Sequence, residues 1–312
     1  MSDGTRLAPP RGPGREDDDR GREPVRASVR ARTGARRGPA RRYGRRGRRG
    51  RTQGAPPVLT APALLAVAFL LIPLLGIVTE SPWKGLGSRL GSPEVGQALG
   101  LSLLVSGWAL LLALLLGLPL AWLLARVDFP GKALVRSLVL LPMVLPPTVA
   151  GVALLRGFGR RGLLGGPLEA LGISLPFSTA GAVVAAAFVS MPFLVITMEG
   201  ALLGLHPRYE EAAATMGAST FQTLRYVTLP MVMPSLAAGA ALCWARALGE
   251  FGATITFAGN LPGSTQTLPL QVYLLLQDDP EGATAISLLL LATAALVLCA
   301  LRGRWLGRGS TE

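Results

Sequence analysis

Long apolar runs, separated by short charged segments, make up most of the chain from residue 58 onward. A helix needs about 20 apolar residues to cross roughly 30 Å of hydrocarbon. Six runs are long enough and predict membrane-spanning helices at Val58–Val78, Ala98–Leu124, Ser137–Leu155, Ala180–Met198, Met231–Phe257 and Gly282–Leu301. The pattern therefore predicts an all-α membrane protein, in which only the fifth run contains charged residues.

The polar stretch between the fourth and fifth runs also has helical features. Pro207 suits a first helical position, where its missing N–H would have no partner anyway. Glu210 and Glu211 then complement the positive end of the helix dipole, and Ala212 to Ala214 are strong helix formers. Gly217 supplies the left-handed residue at which helices commonly end. A short helix is therefore expected between Pro207 and Gly217.

A second short helix is expected directly after the first. Ser219, followed three residues later by Gln222, is a capping-box pattern that marks a helix start. Pro230 then marks a bend or the entry into the fifth spanning helix. An interfacial helix resting on lipid favours Lys and Arg on its polar face. The two carboxylates of this stretch therefore indicate a protein partner instead.

The composition agrees with a membrane protein, since half of the 312 residues are apolar and only 16% are charged. The formal net charge of +13 is uneven, because residues 1–54 hold 17 of the 31 basic and 6 of the 18 acidic side chains. This tail is rich in Arg, Gly and Pro and lacks the apolar residues that would offset the entropy of ordering, so we expect it to be disordered. It either sets topology while touching anionic lipid or binds nucleic acid through phosphates. Arginines without interleaved aromatic residues specify no nucleic-acid partner.

The basic residues also predict an orientation, because cytoplasmic segments of membrane proteins carry an excess of Lys and Arg. With the tail inside, the inner segments hold 25 basic residues and the outer loops hold five. Both termini are therefore expected to be cytoplasmic, with residues 55–312 forming the membrane domain. The loop at residues 206–230 then lies on the cytoplasmic face.

The fifth run carries an arginine and a glutamate one helical turn apart. Arg246 and Glu250 fall on one row, whereas Gly239 and Cys243 belong to a second row made only of small residues. Small residues let helices approach closely in lipid, whereas a charge inside the membrane is costly and usually faces an internal path. Glu250 is interpreted as half of a structural ion pair. Arg246 is either the other half or a source of positive potential for a passing anion.

The third run contains three prolines within LPMVLPPTVAG at Leu141–Gly151. Each proline removes a backbone hydrogen bond, so the released carbonyls need other helices or a water-lined cavity. Pro146, Pro147 and Thr148 are therefore candidates for a translocation pathway, although a kink for packing explains them equally well. The outer loop at Gly159–Gly162 carries two arginines and is either solvated surface or a docking point for an anion-binding partner.

The residues form no catalytic constellation. The two lysines, Lys84 and Lys132, lie outside any Gly-rich frame ending in Gly-Lys-Ser/Thr, so the chain cannot hold nucleotide phosphates by that route. His206 is the only histidine, and its place before Pro207 favours a helix-entry role over metal binding. We therefore expect no catalytic residue, metal site or cofactor, and any work must come from a conformational change driven by a partner.

Glu211-Ala212-Ala213, then Gly217, Val227 and Leu229-Pro230, resemble the EAA loop of the membrane subunits of ABC import systems. In that family the loop forms a coupling helix that docks on a separate ATP-hydrolysing subunit. The resemblance implies an ABC type I importer permease fold in a bacterial or archaeal cell membrane. The residues to which it gives a coupling role are Glu210, Glu211, Ala212, Ala213, Gly217, Ala218, Leu229 and Pro230.

Further segments are similar to the molybdate permeases of that family. They are PLAWLLARVDFPGK at Pro119–Lys132, LPPTVAG at Leu145–Gly151, and GEFGATITFAGN followed by PGSTQTLPLQVYLLLQ at Pro262–Gln277. The similarity covers about residues 97–312 and leaves the tail outside. It implies a homodimer that takes a tetrahedral oxyanion from an extracytoplasmic binding protein and alternates access as two ATPase subunits close on ATP. Molybdate is the expected anion, with tungstate and sulfate or thiosulfate as alternatives.

Two other classes of function compete with this interpretation. A secondary transporter or channel would need no ATPase subunit, and the EAA loop disfavours it. A membrane-anchored nucleic-acid binder would act through the tail at residues 1–54.

Overall fold

In the computed structural model, residues 57–306 are described, with side chains described for 58–299. This part of the chain is helical and contains no strand. Its helices are α1 Pro57–Thr79, α2 Leu86–Leu90, α3 Pro93–Arg126, α4 Lys132–Val144, α5 Pro147–Phe158, α6 Gly165–Ala170, α7 Thr179–Gly204, α8 Arg208–Thr215, α9 Thr220–Thr223, α10 Leu229–Leu248, α11 Gly252–Phe257, α12 Leu268–Asp278 and α13 Pro280–Leu306. The predicted tail at residues 1–54 lies outside the described residues.

Five helical segments are long and apolar enough to cross a membrane, judged by length and composition. They are Val58–Thr79, Pro93–Arg126, Thr179–Gly204, Thr220–Leu248 and Pro280–Cys299. These segments overlap the first, second, fourth, fifth and sixth predicted spanning helices. The chain is therefore an all-α, multi-pass membrane protein.

The predicted third spanning helix is divided into α4 and α5. The two residues between these helices, Leu145 and Pro146, are extended, with ψ of 137° and 135°. A residue that precedes a proline is driven out of the helical region, and a proline has no N–H for the helical hydrogen bond. The prediction of one continuous helix over Ser137–Leu155 is therefore wrong, because consecutive prolines end α4 and start α5.

The fifth helix also differs from its predicted bounds, Met231–Phe257. At its start, α9 continues into α10 through a π-turn at Leu224–Thr228, in which the Leu229 N–H bonds to the Leu224 carbonyl. The ring of Pro230 would clash with the carbonyl four residues earlier in a regular helix, and the wider π-turn relieves that clash. The expected second short helix is therefore the first part of the fifth spanning segment.

At its other end, the fifth helix stops sooner than predicted. Helix α10 ends at Leu248, and α11 begins at Gly252 after a short irregular segment. Phe251, which precedes α11, has φ of −130° and ψ of −59°, outside the helical region. The expected continuous helix through Phe257 is therefore wrong, because residues 249–251 break it.

Helix α7 lies at the centre of the bundle and packs against α3, α4, α10 and α11. Its buried face is rich in alanine, and glycines of the neighbouring helices α3 and α10 lie against it. A Cβ atom on Gly239 of α10 would lie 3.1 Å from Cβ of Thr197, and one on Gly117 of α3 would lie 3.2 Å from Cγ of Met191. Gly239 and Cys243 are both buried, as the small row predicted. Close approach through small residues therefore holds α3, α7 and α10 together.

Arg89 joins the short helix α2 to the start of α13, at the end of the bundle opposite residues 206–230. Its guanidinium lies 2.5 Å from Asp279 and 2.9 Å from Glu281. Asp279 also accepts a hydrogen bond from the Gly282 N–H at 3.0 Å and so caps α13. The Gly282 N–H and the Arg89 charge hold the pKa of Asp279 below its usual range. This contribution to stability is present at neutral pH and is lost as pH falls through the lowered pKa.

Replacing Gly239 with Val is expected to lower stability by about 1–3 kcal/mol, because the added atoms would overlap Thr197 and Leu194. Thermal unfolding of the purified protein in detergent measures the effect. Gly100→Val on α3 is the matched control, since a Cβ there meets nothing within 4 Å. An equal melting temperature for the two variants would contradict close packing between α7 and α10.

Candidate functional site

The loop at residues 206–230 contains the first group of candidate residues, and it begins with helix α8. Glu210 and Glu211 lie in its first turn, as expected. Pro207 occupies the N-cap, one position earlier than predicted, with helical dihedral angles. The Nδ1 atom of His206 accepts a hydrogen bond from the Arg208 N–H at 3.3 Å. His206 therefore has the helix-entry role that the sequence indicated.

A Schellman motif ends α8. Gly217 has φ of +85°, a conformation that favours glycine. Its N–H bonds to the Ala214 carbonyl at 3.0 Å, and the Ala218 N–H bonds to the Ala213 carbonyl at 3.1 Å. These two bonds satisfy carbonyls that the helix end would otherwise leave unpaired.

The next helix starts immediately after this motif. The Ser219 hydroxyl accepts from the Gln222 N–H at 3.3 Å, and the Gln222 side chain accepts from the Ser219 N–H at 2.8 Å. The expected capping box is therefore formed. Together, the two motifs set a sharp and well-defined angle between α8 and the fifth spanning segment.

The two carboxylates of α8 have different surroundings. One oxygen of Glu210 accepts from Arg126 of α3 at 3.0 Å and from the Thr228 hydroxyl at 2.9 Å. Glu211, one residue later, is exposed. Glu210 therefore faces the helical bundle, and Glu211 faces away from it.

Large apolar side chains are exposed in the same loop as Glu211. Met216 is 81% exposed, and Phe221 and Tyr226 are each 70% exposed. Ala213 is the one residue of α8 that is buried, and Ala212 is exposed. Exposed apolar residues beside an unburied carboxylate are typical of a surface that binds another protein.

Leu229 and Pro230, the last two residues of the predicted coupling set, follow the π-turn at the start of α10. Leu229 lines an apolar cavity of about 220 Å³ together with Trp122 and Met198. Pro230 is exposed. These two residues therefore lie at the base of the fifth spanning segment, away from the tip of α8.

The second group of candidates lies at a junction, where the α4–α5 break meets the α10–α11 break. A Cβ atom on Gly252 of α11 would collide with the ring of Pro147. One turn further along each helix, a Cβ on Gly151 would lie 2.5 Å from Cβ of Thr256. The structure therefore brings together two segments that are about 100 residues apart in the sequence, and only glycine allows the contact.

Arg246 lies in the last turn of α10, and Glu250 lies within the break that follows. The Arg246 guanidinium lies 2.7 Å from Oε2 of Glu250, whose side chain is only 2% exposed. The other oxygen of Glu250 accepts from the Ala253 N–H at 2.8 Å. Glu250 thus neutralises Arg246 and caps α11, a second role that its sequence position did not reveal. Arg246 remains partly exposed, and Pro146, Pro147 and Thr148 are exposed in the single chain.

Several polar residues near these two groups were not among the predicted ones. Arg126 and Thr228 hold Glu210, although they are distant from it in sequence. Arg136 of α4 donates from Nε to the buried Glu199 of α7 at 2.9 Å. The sequence could have identified Glu199 as a candidate, because a carboxylate directly follows the apolar run that ends at Met198. It could not have identified Arg126, since basic residues commonly flank membrane helices.

Among the described residues, five buried side-chain polar atoms have no hydrogen-bond partner. Two of them are Arg126 Nε and Glu250 Oε2, and the other three follow the junction in sequence. In the part of the chain that the structure describes, Asn260, Thr267 and Gln271 each have a buried side-chain oxygen without a hydrogen-bond partner. Thr267 and Gln271 are one turn apart at the start of α12, so they share a face. Buried polar groups without protein partners commonly bind water. Among residues 57–306, no group of His, Cys, Asp and Glu side chains is arranged to hold a metal ion.

The sequence matches a known family of membrane proteins. Residues 117–306 fit the pattern of the family described as binding-protein-dependent transport system inner membrane component. The chain is 46% identical over 243 residues to the molybdenum transport system permease protein ModB of Mycobacterium tuberculosis, which covers 78% of this chain and 92% of that protein. It is 45% identical over 224 residues to ModB of Escherichia coli K12, covering 72% of this chain and 97% of that protein. The chain is also 38% identical over 239 residues to the sulfate transport system permease protein CysT of Salmonella typhimurium, which covers 75% of this chain and 86% of that protein.

Solved structures share the fold at low sequence identity. A bacterial ABC transporter involved in the import of the acidic polysaccharide alginate matches with a TM-score of 0.65 at 18% identity, covering 81% of this chain and 95% of that one. The MetNI methionine ABC transporter, in inward-facing conformations, matches with a TM-score of 0.52 at 20% identity, covering 67% of this chain and 94% of that one. These likenesses establish the arrangement of the helices.

Replacing Arg246 with Ala is expected to lower stability by about 3 kcal/mol, because the Glu250 carboxylate would stay buried without its counter-charge. Adding Glu250→Gln should recover most of that loss, since the amide oxygen can still accept from the Ala253 N–H. Thermal unfolding of both proteins measures the difference, with Glu250→Gln alone as the control. A double variant no more stable than Arg246→Ala would show that the ion pair does not stabilise the junction.

Proposed function

The chain belongs to the family of binding-protein-dependent transport system inner membrane components, and from this premise we propose that it imports molybdate as the permease subunit of an ABC transporter. Its multi-pass helical fold provides the membrane-spanning part of such a system. The observation that carries the substrate assignment is the higher identity to the molybdenum permeases than to the sulfate permease. Tungstate and sulfate or thiosulfate are the alternative substrates, because they are tetrahedral dianions like molybdate.

We place ATP hydrolysis on a separate subunit that binds the loop at residues 206–230. The sequence has no Gly-rich phosphate loop, so the energy of ATP must reach this chain through contact with a partner. Glu211, Met216 and Phe221, which are all exposed in this loop, provide a surface for that contact. In this arrangement the loop and both termini are cytoplasmic, as the distribution of Lys and Arg predicts.

The anion pathway, in this proposal, passes the junction. Helix α5 starts there at Pro147, so the Thr148 and Val149 N–H groups have no partner within their own helix and lie at the positive end of its dipole. Arg246 adds a charge that is paired but still partly exposed. Irregular backbone at membrane depth is tolerated where it lines a cavity. Since Pro146, Pro147 and Thr148 are open in the single chain, a second copy of the chain is expected to complete the pathway.

The outer face is expected to receive an oxyanion-binding protein. Three glycines, Gly159, Gly162 and Gly165, lie so close to backbone carbonyls of the last turn of α5 and of the outer loop that a Cβ on any of them would overlap a carbonyl group. These contacts constrain the loop backbone, and the loop presents the exposed Arg160 together with Leu163, which is 89% exposed. A fixed basic and apolar surface suits a docking contact with a protein partner.

Vesicles that contain this chain, the ATPase subunit and the binding protein are expected to take up molybdate only when ATP is present. Radiolabelled molybdate measures uptake, and competition by tungstate and sulfate measures selectivity. Removing residues 1–50 should leave uptake largely intact. Uptake without the ATPase subunit would instead indicate a secondary transporter, and loss of function on removing the tail would favour the nucleic-acid hypothesis.

Glu211→Lys is expected to reduce binding of the ATPase subunit by about tenfold, because it reverses an exposed charge at the centre of the proposed contact. Co-purification of the two subunits measures binding, and unchanged thermal unfolding shows that the bundle is intact. Glu94→Gln, an exposed carboxylate in the first turn of α3 at the opposite end, is the control. Wild-type binding and uptake by Glu211→Lys would contradict the coupling role of the loop.

A further inference from the structure

Glu210 connects three separate parts of the chain through one oxygen atom. Its Oε1 accepts from Arg126 at the last turn of α3 and from Thr228 at the end of the π-turn. Because both donors share one oxygen, any rotation or withdrawal of the carboxylate weakens both bonds together. The three segments are therefore linked at a single polar joint.

Close packing does little to hold α8 in place beside this joint. A cavity of about 180 Å³ lies between α8, α3 and the fifth segment, and it is lined by Trp122, Ala214 and Leu224 as well as by Glu210. The apolar cavity of about 220 Å³ lies on the other side of Trp122 and Leu224. Tightly packed surfaces transmit displacement through many contacts, but α8 packs mainly against its neighbours in the same loop, and an open cleft lies between it and the end of α3. The directional bonds of Glu210 must therefore carry a large part of any force on α8.

The helices that leave the joint lead into the bundle and to the junction. Thr228 is followed directly by α10, whose 20 residues span roughly 30 Å and end beside Arg246 and Glu250. Arg126 ends α3, which packs against α7 over much of its length. A displacement at Glu210 is therefore passed to α3 and, along α10, to the junction.

We propose that Glu210 is the positioning residue that transmits movement of the coupling helix α8 to α3 and α10, while Glu211 makes the contact with the ATPase subunit. This inference rests on the proposed function. It divides the adjacent carboxylates into an inner residue that couples and an outer residue that docks. It also assigns Arg126 and Thr228 as the partners through which Glu210 acts.

The test uses the full transporter in vesicles and measures molybdate uptake and ATP hydrolysis in the same sample. Glu210→Gln keeps the shape of the side chain but removes its charge, so uptake per ATP hydrolysed should fall by roughly threefold or more. The ATPase subunit should still co-purify in the wild-type ratio. Glu211→Gln should show the reverse pattern, with weaker co-purification and little change in uptake per ATP.

Reversal of the pair separates coupling from a general structural effect. Arg126→Glu and Glu210→Arg should each lower uptake per ATP, and the double variant should recover at least about half of the wild-type ratio. Thr228→Val, which keeps the side-chain volume and removes the hydroxyl, provides a second test should Glu210→Gln fail to fold. Glu94→Gln is the matched carboxylate control and should leave both measurements unchanged.

The outcomes distinguish the inference from the proposed function. Wild-type uptake per ATP in Glu210→Gln or Thr228→Val, or a parallel loss of uptake and hydrolysis that follows the amount of folded protein, would overturn the role of Glu210. Wild-type vesicles that take up no molybdate with ATP would overturn the proposed function itself, and the inference with it. Recovery in the reversed pair supports the assignment of Arg126 as partner.

Discussion

A backbone group inside hydrocarbon has no water to bond with, so each break in a spanning helix must lie against other protein or line a cavity. Two of the predicted spanning helices are broken in this protein, one before Pro147 and one at residues 249–251. The fold places these breaks against each other, with Gly252 on the ring of Pro147. The position of α5 relative to α11, and with it the candidate pathway, depends on this requirement.

The same requirement explains why helix α7 is so rich in small residues. Breaks can meet only if the helices that carry them approach closely, and α7 packs against α4, α10 and α11 with an alanine-rich face. Gly117 and Gly239 bring α3 and α10 to van der Waals contact with it. In a membrane, where apolar side chains gain little by leaving lipid, such contact is a main source of helix association. The small residues therefore act as structural determinants of the junction, although they have no chemistry of their own.

The sequence predicted features that depend on neighbours along the chain and missed those that depend on contacts across the bundle. The end of α8 at Gly217, the capping box at Ser219 and the buried row with Gly239 all follow from local pattern, and the structure confirms them. The split of the third helix was only partly foreseen, because prolines predict a kink without fixing its size. The bond from Arg126 to Glu210 could not be predicted, since 84 residues separate the two and many basic residues flank membrane helices.

The ion pairs of the bundle have a common position that constrains how it can move. Three of them connect different segments of the chain near helix ends, and the fourth joins the last turn of α10 to the break that follows it, whereas the long faces between helices are apolar and small. Removing one partner of a buried pair costs several kcal/mol, but sliding between small apolar faces costs little as long as contact is kept. Movements that keep the pairs intact therefore cost less than movements that break them. The pairs are Arg89–Asp279, Arg126–Glu210, Arg136–Glu199 and Arg246–Glu250.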